Sequence, residues 1–463
     1  MENMEDYQDF DRYQDVFGQL RLLKSYTHFL LCFPIPEDKS RDTVIKKLNI
    51  ATAEVTLKVP WLTGKVVNEG STPSSSGLFK VKPCSLWEPP NSILRVKDCS
   101  DVCPSFQEII DAKGPIEYFD PAVLTHCVAF PQSYQETEDE PACVLTLQAN
   151  LVHGGLLLDI AGQHNIMSGG GMLQFLKLLA KVLRGESISD YEIKHANLDR
   201  RNMVPLIRPE ESMIDLSRFN RPSLLASLVP AVPAPHGKWC TFGFTAQKMA
   251  DLKAKASDAT QFVSPVTFIS SNDALTAFFW KIITRIRMLR IKDDQATSKF
   301  VRAVDVRPTM GVPNEYMGHY VYNTFSTLKF HEVGNLSLSA LASVMRKNLM
   351  NDVTSLAVRS FVTLLDQTAD KTTLMYGGEM NRDTDVAFTS IAQSDLYNIE
   401  FGILGKLALF RRPNFIPRAT TAIMFPKKLD GYQDFQVCLL EEDLQELRKD
   451  AEWASYAELI AVD

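Results

Sequence analysis

Residues 162–171 read GQHNIMSGGG, so His164 closes an apolar stretch and three glycines, Gly169 to Gly171, follow just behind it. Histidine is the side chain most often used to carry a proton in catalysis. Glycines beside it leave little backbone bulk, so a second molecule can come close. Ser168 precedes the glycines and has the hydroxyl that caps a helix start. The pattern predicts a proton-handling histidine at a strand-to-helix junction, exposed at the lip of a sheet.

Two kinds of element must hold it there. In front, CVLTLQANLVHGGLLLDIAGQ from Cys143 reads as two strands turning at His153-Gly154-Gly155. Behind, Met172, Leu173, Phe175, Leu176, Leu178, Leu179, Val182 and Leu183 recur at helical spacing, with Lys177, Lys181 and Arg184 on the other side and Gly185 as a stop. Earlier, YTHFLLCFPI reads as a strand, DTVIKKLNIATAEV as a helix, VPWLTGKV as extended chain and STPSSSG at 71–77 as an irregular polar stretch. The segment 204–237 is rich in proline, which removes the amide donor that helices and central strands need, and reads as a crossover.

A second α/β half follows. SSNDALTAFFWKIITRIRMLR is the clearest helix, capped by Asn272 or a neighbouring serine. KFVRAVDVRP, VAFTSIAQ, ATTAIMFP and FQVCLLE read as strands, and EEDLQELRKDAEWASYAELI as a closing helix. The expected organisation is an N-terminal domain over 1–204 that carries His164, a linker over 205–237 and a C-terminal domain over 238–463, with any ligand between the halves.

Composition narrows the class. A chain of 463 residues exceeds one ordinary core, at roughly 150 residues per domain. The balance of 49 basic against 56 acidic residues gives a net charge of −7 and no basic block, which argues against nucleic-acid binding. The eight cysteines fit neither a disulfide framework nor a metal site, and reduced thiols are expected. The start MENMEDYQDFDRYQD has no signal-peptide pattern, and no apolar run nears the roughly 18 residues that span a bilayer, so a cytoplasmic protein without a membrane partner is expected. HGGLLLD at His153 resembles the oxyanion loop of some lipases but has no G-x-S-x-G elbow to serve, and phosphate-loop, dinucleotide and H-E-x-x-H motifs are missing. Lys281, Arg285, Arg287 and Arg290 sit late in their helix, where the macrodipole favours cations without any phosphate ligand.

His164-x-x-x-Ser168-Gly169 after an apolar strand, then SSNDALTAFFWK, RAVDVRPTMGV, EFGILGK, FRRP and FPKKLDG in that order, resembles the BAHD acyltransferases, and among them the fungal trichothecene 3-O-acetyltransferases. YTHFLLCFPI, VPWLTGKV and EWASYAEL extend the resemblance over nearly the whole chain. It implies an α/β monomer of two chloramphenicol-acetyltransferase-like domains, with mixed sheets flanked by helices and a tunnel between them. It also implies no permanently bound cofactor, acyl-CoA (acetyl-CoA above all) as co-substrate from one face, and a small-molecule acceptor from the other. By that resemblance His164 is the general base of an O-acyltransferase acting on a multi-ring lipophilic alcohol, a terpenoid or polyketide of secondary metabolism.

The chain departs from the family pattern at several positions. Ser168 stands where H-x-x-x-D-G has aspartate, a carboxylate that in relatives pairs with an arginine matching Arg307, so that arginine is left unpaired unless Asp305 or another carboxylate compensates. The coenzyme-side motif D-F-G-W-G becomes Glu400-Phe401-Gly402-Ile403-Leu404-Gly405. Ile391 follows Ser390 where relatives commonly place tryptophan, which widens the acceptor pocket, and His319 in Tyr316-Met317-Gly318-His319 is a further pocket candidate. These departures leave open a scaffold of the same descent that cyclises or isomerises a polyene or polyketide without coenzyme A; a binding protein, or a transferase fed by a carrier-protein thioester, is a third alternative.

Overall fold

The computed structural model describes residues 6–14, 16–36, 40–87, 91–130, 132–225 and 237–463. Part of the expected linker, 226–236, and the first five residues lie outside the described residues.

The first sheet contains β1 (Tyr26–Pro34), β4 (Leu94–Asp98), β5 (Leu145–Val152) and β6 (Gly155–Gln163), with β11 (Leu409–Arg411) arriving from the other half, in the order β11-β1-β6-β5-β4. β5 and β6 are buried along their whole length; β6 reads as a near-continuous apolar run, whereas β5 alternates because its second face buries the polar side chains of Thr146, Gln148 and Asn150. Gly154 makes their turn at φ 75°. The helices Arg41–Lys58 and Gly169–Leu183 cover one face, with Val44, Leu48, Phe175 and Leu179 in a shared core with Phe29, Leu31 and Leu158.

The second sheet contains β7 (Gly237–Phe244), β8 (Thr297–Asp305), β9 (Val321–Lys329), β10 (Val386–Ser390), β12 (Thr421–Met424), β13 (Gln433–Leu440) and β14 (Glu458–Val462), in the order β14-β7-β13-β12-β10-β8-β9. β10 runs parallel to both neighbours and the other pairs are antiparallel, so this sheet is mixed, as is the first with its parallel β4–β5 pair. The helix Ser271–Ile291 packs on it through Phe278, Phe279 and Ile282, and Ser270, in a reciprocal pair with Asp273, is its cap. Its late cations meet protein carboxylates: Arg285 joins Asp450 and Glu452, and Arg287 and Arg290 join Asp443.

Three sequence expectations change. The polar stretch 71–77 is the end of a hairpin, β2 (Lys65–Thr72) with β3 (Ser75–Lys82), because Val66, Phe79 and Val81 alternate inward and set a register. VPWLTGKV begins with a 3-10 turn over Pro60–Thr63 before β2. The closing helix is two, Glu441–Lys449 and Ala451–Tyr456, followed by β14. Asp450 ends the first and caps the second by accepting the Trp453 N–H at 2.8 Å.

β11 ties the halves together. It pairs antiparallel with β1, Leu30 opposite Arg411, while the buried Arg411 reaches β13 of the second sheet and donates to Asp434 Oδ2 at 2.7 Å. Among the described residues no helix is long and apolar enough to cross a membrane and no metal-holding cluster of His, Cys, Asp or Glu occurs.

Candidate active site

His164 follows directly on β6, and its backbone N–H donates to Ser25 O at 2.8 Å just before β1 begins. Its neighbours are anchored: Gln163 Oε1 accepts the Asn165 N–H at 2.8 Å, and Gln163 Nε2 donates to Tyr134 Oη at 2.8 Å. The imidazole Nδ1 lies 3.2 Å from Met167 O. A carbonyl only accepts, so Nδ1 carries the hydrogen and Nε2 keeps a lone pair. Burial pushes the His164 pKa below its ordinary value, with the Met167 carbonyl acting the other way. The ring is therefore a neutral base near neutral pH.

Ser168 starts the helix Gly169–Leu183, accepting the Gly171 N–H at 3.4 Å and donating to Gly318 O at 3.4 Å. The glycines are required by close approach. A Cβ on Gly171 would lie 2.0 Å from Met317 O, and one on Gly170 2.6 Å from Arg307 Nη2. The segment 316–319 of the second half can thus dock against the helix start of the first.

Arg307 meets Asp305, not Ser168. Its Nε is 3.0 Å from both carboxylate oxygens and Nη2 is 2.6 Å from Oδ2, while Nη1 donates to Asn314 O and Tyr316 O at 2.8 and 3.0 Å. The guanidinium thereby holds the 314–316 backbone against the glycines.

His319 faces His164 edge to face, ring centroids 5.0 Å apart at 74°. It is buried, its Nε2 is 2.9 Å from Tyr376 Oη, and Tyr376 Oη also lies 2.9 Å from Val321 O. Burial, and then the neighbouring His164, push its pKa well below the ordinary value.

Both histidines line a cavity of about 300 Å³ to which both halves contribute. Phe29 and Phe130 come from the first half; Val301, Met375, Ile423 and Phe425 come from the second, and the wall is mostly apolar. Of the residues singled out in the sequence, His164, Gly169, His319 and Ile391 line it. Ser168, Asp305 and Arg307 stand behind it. Ser390 turns its hydroxyl to the Ala392 N–H at 3.3 Å and is not in the lining.

Glu400, Phe401, Gly402 and Gly405 are elsewhere. Glu400 O accepts from Arg184 Nη1 at 2.7 Å, the Phe401 N–H donates to Gly405 O at 2.9 Å, and Gly402 sits against Leu183 O. This turn packs on the far end of a helix about 22 Å long, at 1.5 Å per residue, from the end that Ser168 caps.

Several lining residues were not found from sequence: Phe130, Tyr376, Arg412, Arg418 and His28. His28 on β1 holds both oxygens of Asp159 on β6 through Nδ1, at 3.0 and 3.1 Å, and burial raises the Asp159 pKa against the opposing pull of His28. The aspartate inside the apolar run LLLDIAG was the legible sign of that pair.

Two mixed sheets share a cavity around a half-buried neutral histidine, and likeness over nearly the whole chain identifies the class as an acyltransferase. The chain belongs to the Transferase family, whose profile matches residues 118–454, and the profile of the trichothecene 3-O-acetyltransferase-like N-terminal domain matches residues 25–182. The O-acyltransferase pigD of Monascus ruber is 44% identical over 98% of this chain and 100% of its own. The trichothecene 3-O-acetyltransferase TRI101 of Fusarium sporotrichioides is 31% identical over 98% of each chain. Among solved structures, F. graminearum TRI101 complexed with coenzyme A and T-2 mycotoxin has a TM-score of 0.87 at 31% identity, covering 96% of this chain and 99% of that one.

Proposed function

We propose that this enzyme transfers an acyl group, acetyl foremost, from coenzyme A to a hydroxyl of a multi-ring lipophilic secondary metabolite, with His164 as the general base. The observation that carries the reading is the neutral imidazole, its Nδ1–H on Met167 O, in an apolar cavity lined by both halves. His164 Nε2 takes the acceptor's proton as the oxygen attacks the thioester carbonyl. Collapse of the tetrahedral intermediate breaks the C–S bond, and the same nitrogen returns the proton to the departing thiolate. Met167 O holds the ring orientation and stabilises the transient imidazolium through the Nδ1–H.

Apolar walls suit a lipophilic acceptor, and Ile391 leaves more room than an indole would. The likeness to proteins named O-acyltransferases, at 44% and 31% identity over nearly the full chain, favours transfer over coenzyme-free cyclisation. The solved relative is complexed with coenzyme A, which supports it as donor here. Purified protein given acetyl-CoA and a panel of terpenoid and polyketide alcohols is expected to yield esters, and His164→Ala to lower kcat by about 10²–10⁴-fold. Equal turnover by the two proteins would remove the mechanism.

A further inference from the structure

We propose that Arg412 and Arg418 form an anion-binding wall in the cavity that holds His164; this rests on the acyl-transfer reading above. The lining of that cavity contains no aspartate or glutamate, although the chain has more acidic than basic residues. His28, also in the lining, has Asp159 as its partner. The two arginines have nothing equivalent: among the described residues neither makes an ion pair or a side-chain hydrogen bond.

The contrast with other arginines of this half is consistent. Arg287, Arg302, Arg307 and Arg411 are buried, and each closes on a carboxylate, from Asp443, Asp273, Asp305 and Asp434 in turn. Arg412 instead lies over the Trp239 ring at 4.9 Å and near Phe415 at 5.9 Å. Arg418 lies over Phe130 at 5.3 Å, and Phe130 in turn meets the His164 ring at 6.3 Å. Aromatic faces orient a guanidinium plane and offset part of its desolvation, but they leave its N–H donors unused. Burial pushes the Arg412 pKa down to about 10, so it stays charged at neutral pH. Burial also lowers that of Arg418, with the like charge of Arg382 adding to it. Both guanidinium groups are half-buried, so two partly desolvated cations stand in an apolar wall without a carboxylate, and a ligand that supplies the counter-charge is favoured there.

That ligand is a phosphate or a carboxylate. Its source is either the phosphates of the thioester donor or an acidic group on the acceptor, and both use the same forked recognition.

Calorimetric titration of CoA, and of pantetheine, which has no phosphate, into wild type and Arg412→Gln/Arg418→Gln separates the sources. If the donor supplies the anion, the double variant binds CoA about tenfold or more weakly, the scale of one charge-assisted hydrogen bond, and binds pantetheine unchanged. If the acceptor supplies it, CoA binding is unchanged, while KM rises for a hydroxylated aromatic carboxylate and stays constant for its methyl ester. CoA affinity and both KM values all unchanged would overturn the wall. Neither arginine loses an intramolecular carboxylate, so the single and double variants are expected to melt no lower than wild type, which guards against reading misfolding as lost binding. The acyl-transfer reading fails separately, by undiminished turnover in His164→Ala, whatever the calorimeter reads.

Discussion

Arg307 closes its guanidinium on the carboxylate of Asp305, two residues before it, with Nη2 to Oδ2 at 2.6 Å and Nε equidistant from both oxygens at 3.0 Å. This pair takes over the charge balance that an aspartate at 168 would supply. It frees Ser168 to act as a neutral cap. Replacing Asp305 with Asn should lower stability by about 1–3 kcal/mol, the range for stranding a hydrogen-bonded charge. Ser168→Asp in that background should recover part of the loss, since Arg307 Nη2 and Ser168 Oγ both crowd Gly170. Denaturant melts of the four proteins in a double-mutant cycle measure the coupling. Strict additivity would mean that the two sites do not exchange roles.

The depressed pKa of His164 has a sign that pH–rate data can read. A base that resists protonation stays active to lower pH, so the acid limb of kcat/KM should have its midpoint below the ordinary histidine value of 6.5. The same shift acts on folding. The unfolded chain binds protons on His164 and His319 that the native protein refuses, so stability is full above 6.5 and falls as pH drops toward the native values. His319→Asn removes one of the two sites and should flatten the fall of Tm between neutral and acidic pH. An equally steep fall would assign the acid sensitivity to other groups.

Gly171→Ala tests the docking of the halves. The new methyl would lie 2.0 Å from Met317 O, a backbone atom that cannot rotate away. Overpacking of this kind costs about 1–3 kcal/mol. Because Met317 leads into Gly318 and His319, turnover should fall as well as Tm. Gly334→Ala, inside the helix Phe330–Asn335, is the control for replacing a helical glycine, since its added Cβ meets nothing within 4 Å.

Ile391 lines the cavity and touches the helix start, with Cγ2 at 3.7 Å from the position of a Gly169 Cβ. Ile391→Trp should narrow the acceptor side. KM should rise steeply for multi-ring alcohols and little for small ones, with CoA affinity unchanged in titration. A uniform loss across acceptor sizes would point to disturbance of the His164 loop instead.

His164, its strand and the following helix were legible in the sequence because each signal is local: an apolar run, a cap residue, glycines and 3.6-residue spacing. The hairpin at 65–82 was hidden by its serine-rich turn, since hydroxyl side chains mask a register set by only three inward residues. β14 was hidden because Tyr456 to Leu459 continues an apolar and polar mixture that suits either period, and only pairing with β7 decides. Asp305 stood two residues from Arg307 as one carboxylate able to compensate, and the sequence left other carboxylates equally open. Arg412, Arg418, Phe130 and Tyr376 were not legible as site residues, because separate elements bring them together. Their meaning comes from what is missing around them, and a carboxylate's absence in space leaves no trace along a chain.

β11 makes the molecule hard to divide. It is three residues long, yet a polypeptide stopped anywhere before residue 409 would leave the β1 edge without its neighbour. An open, apolar edge of that kind recruits other chains. The N-terminal half made by itself is expected to aggregate, and co-expression with the rest, rather than a shorter boundary, is what should return it to solution.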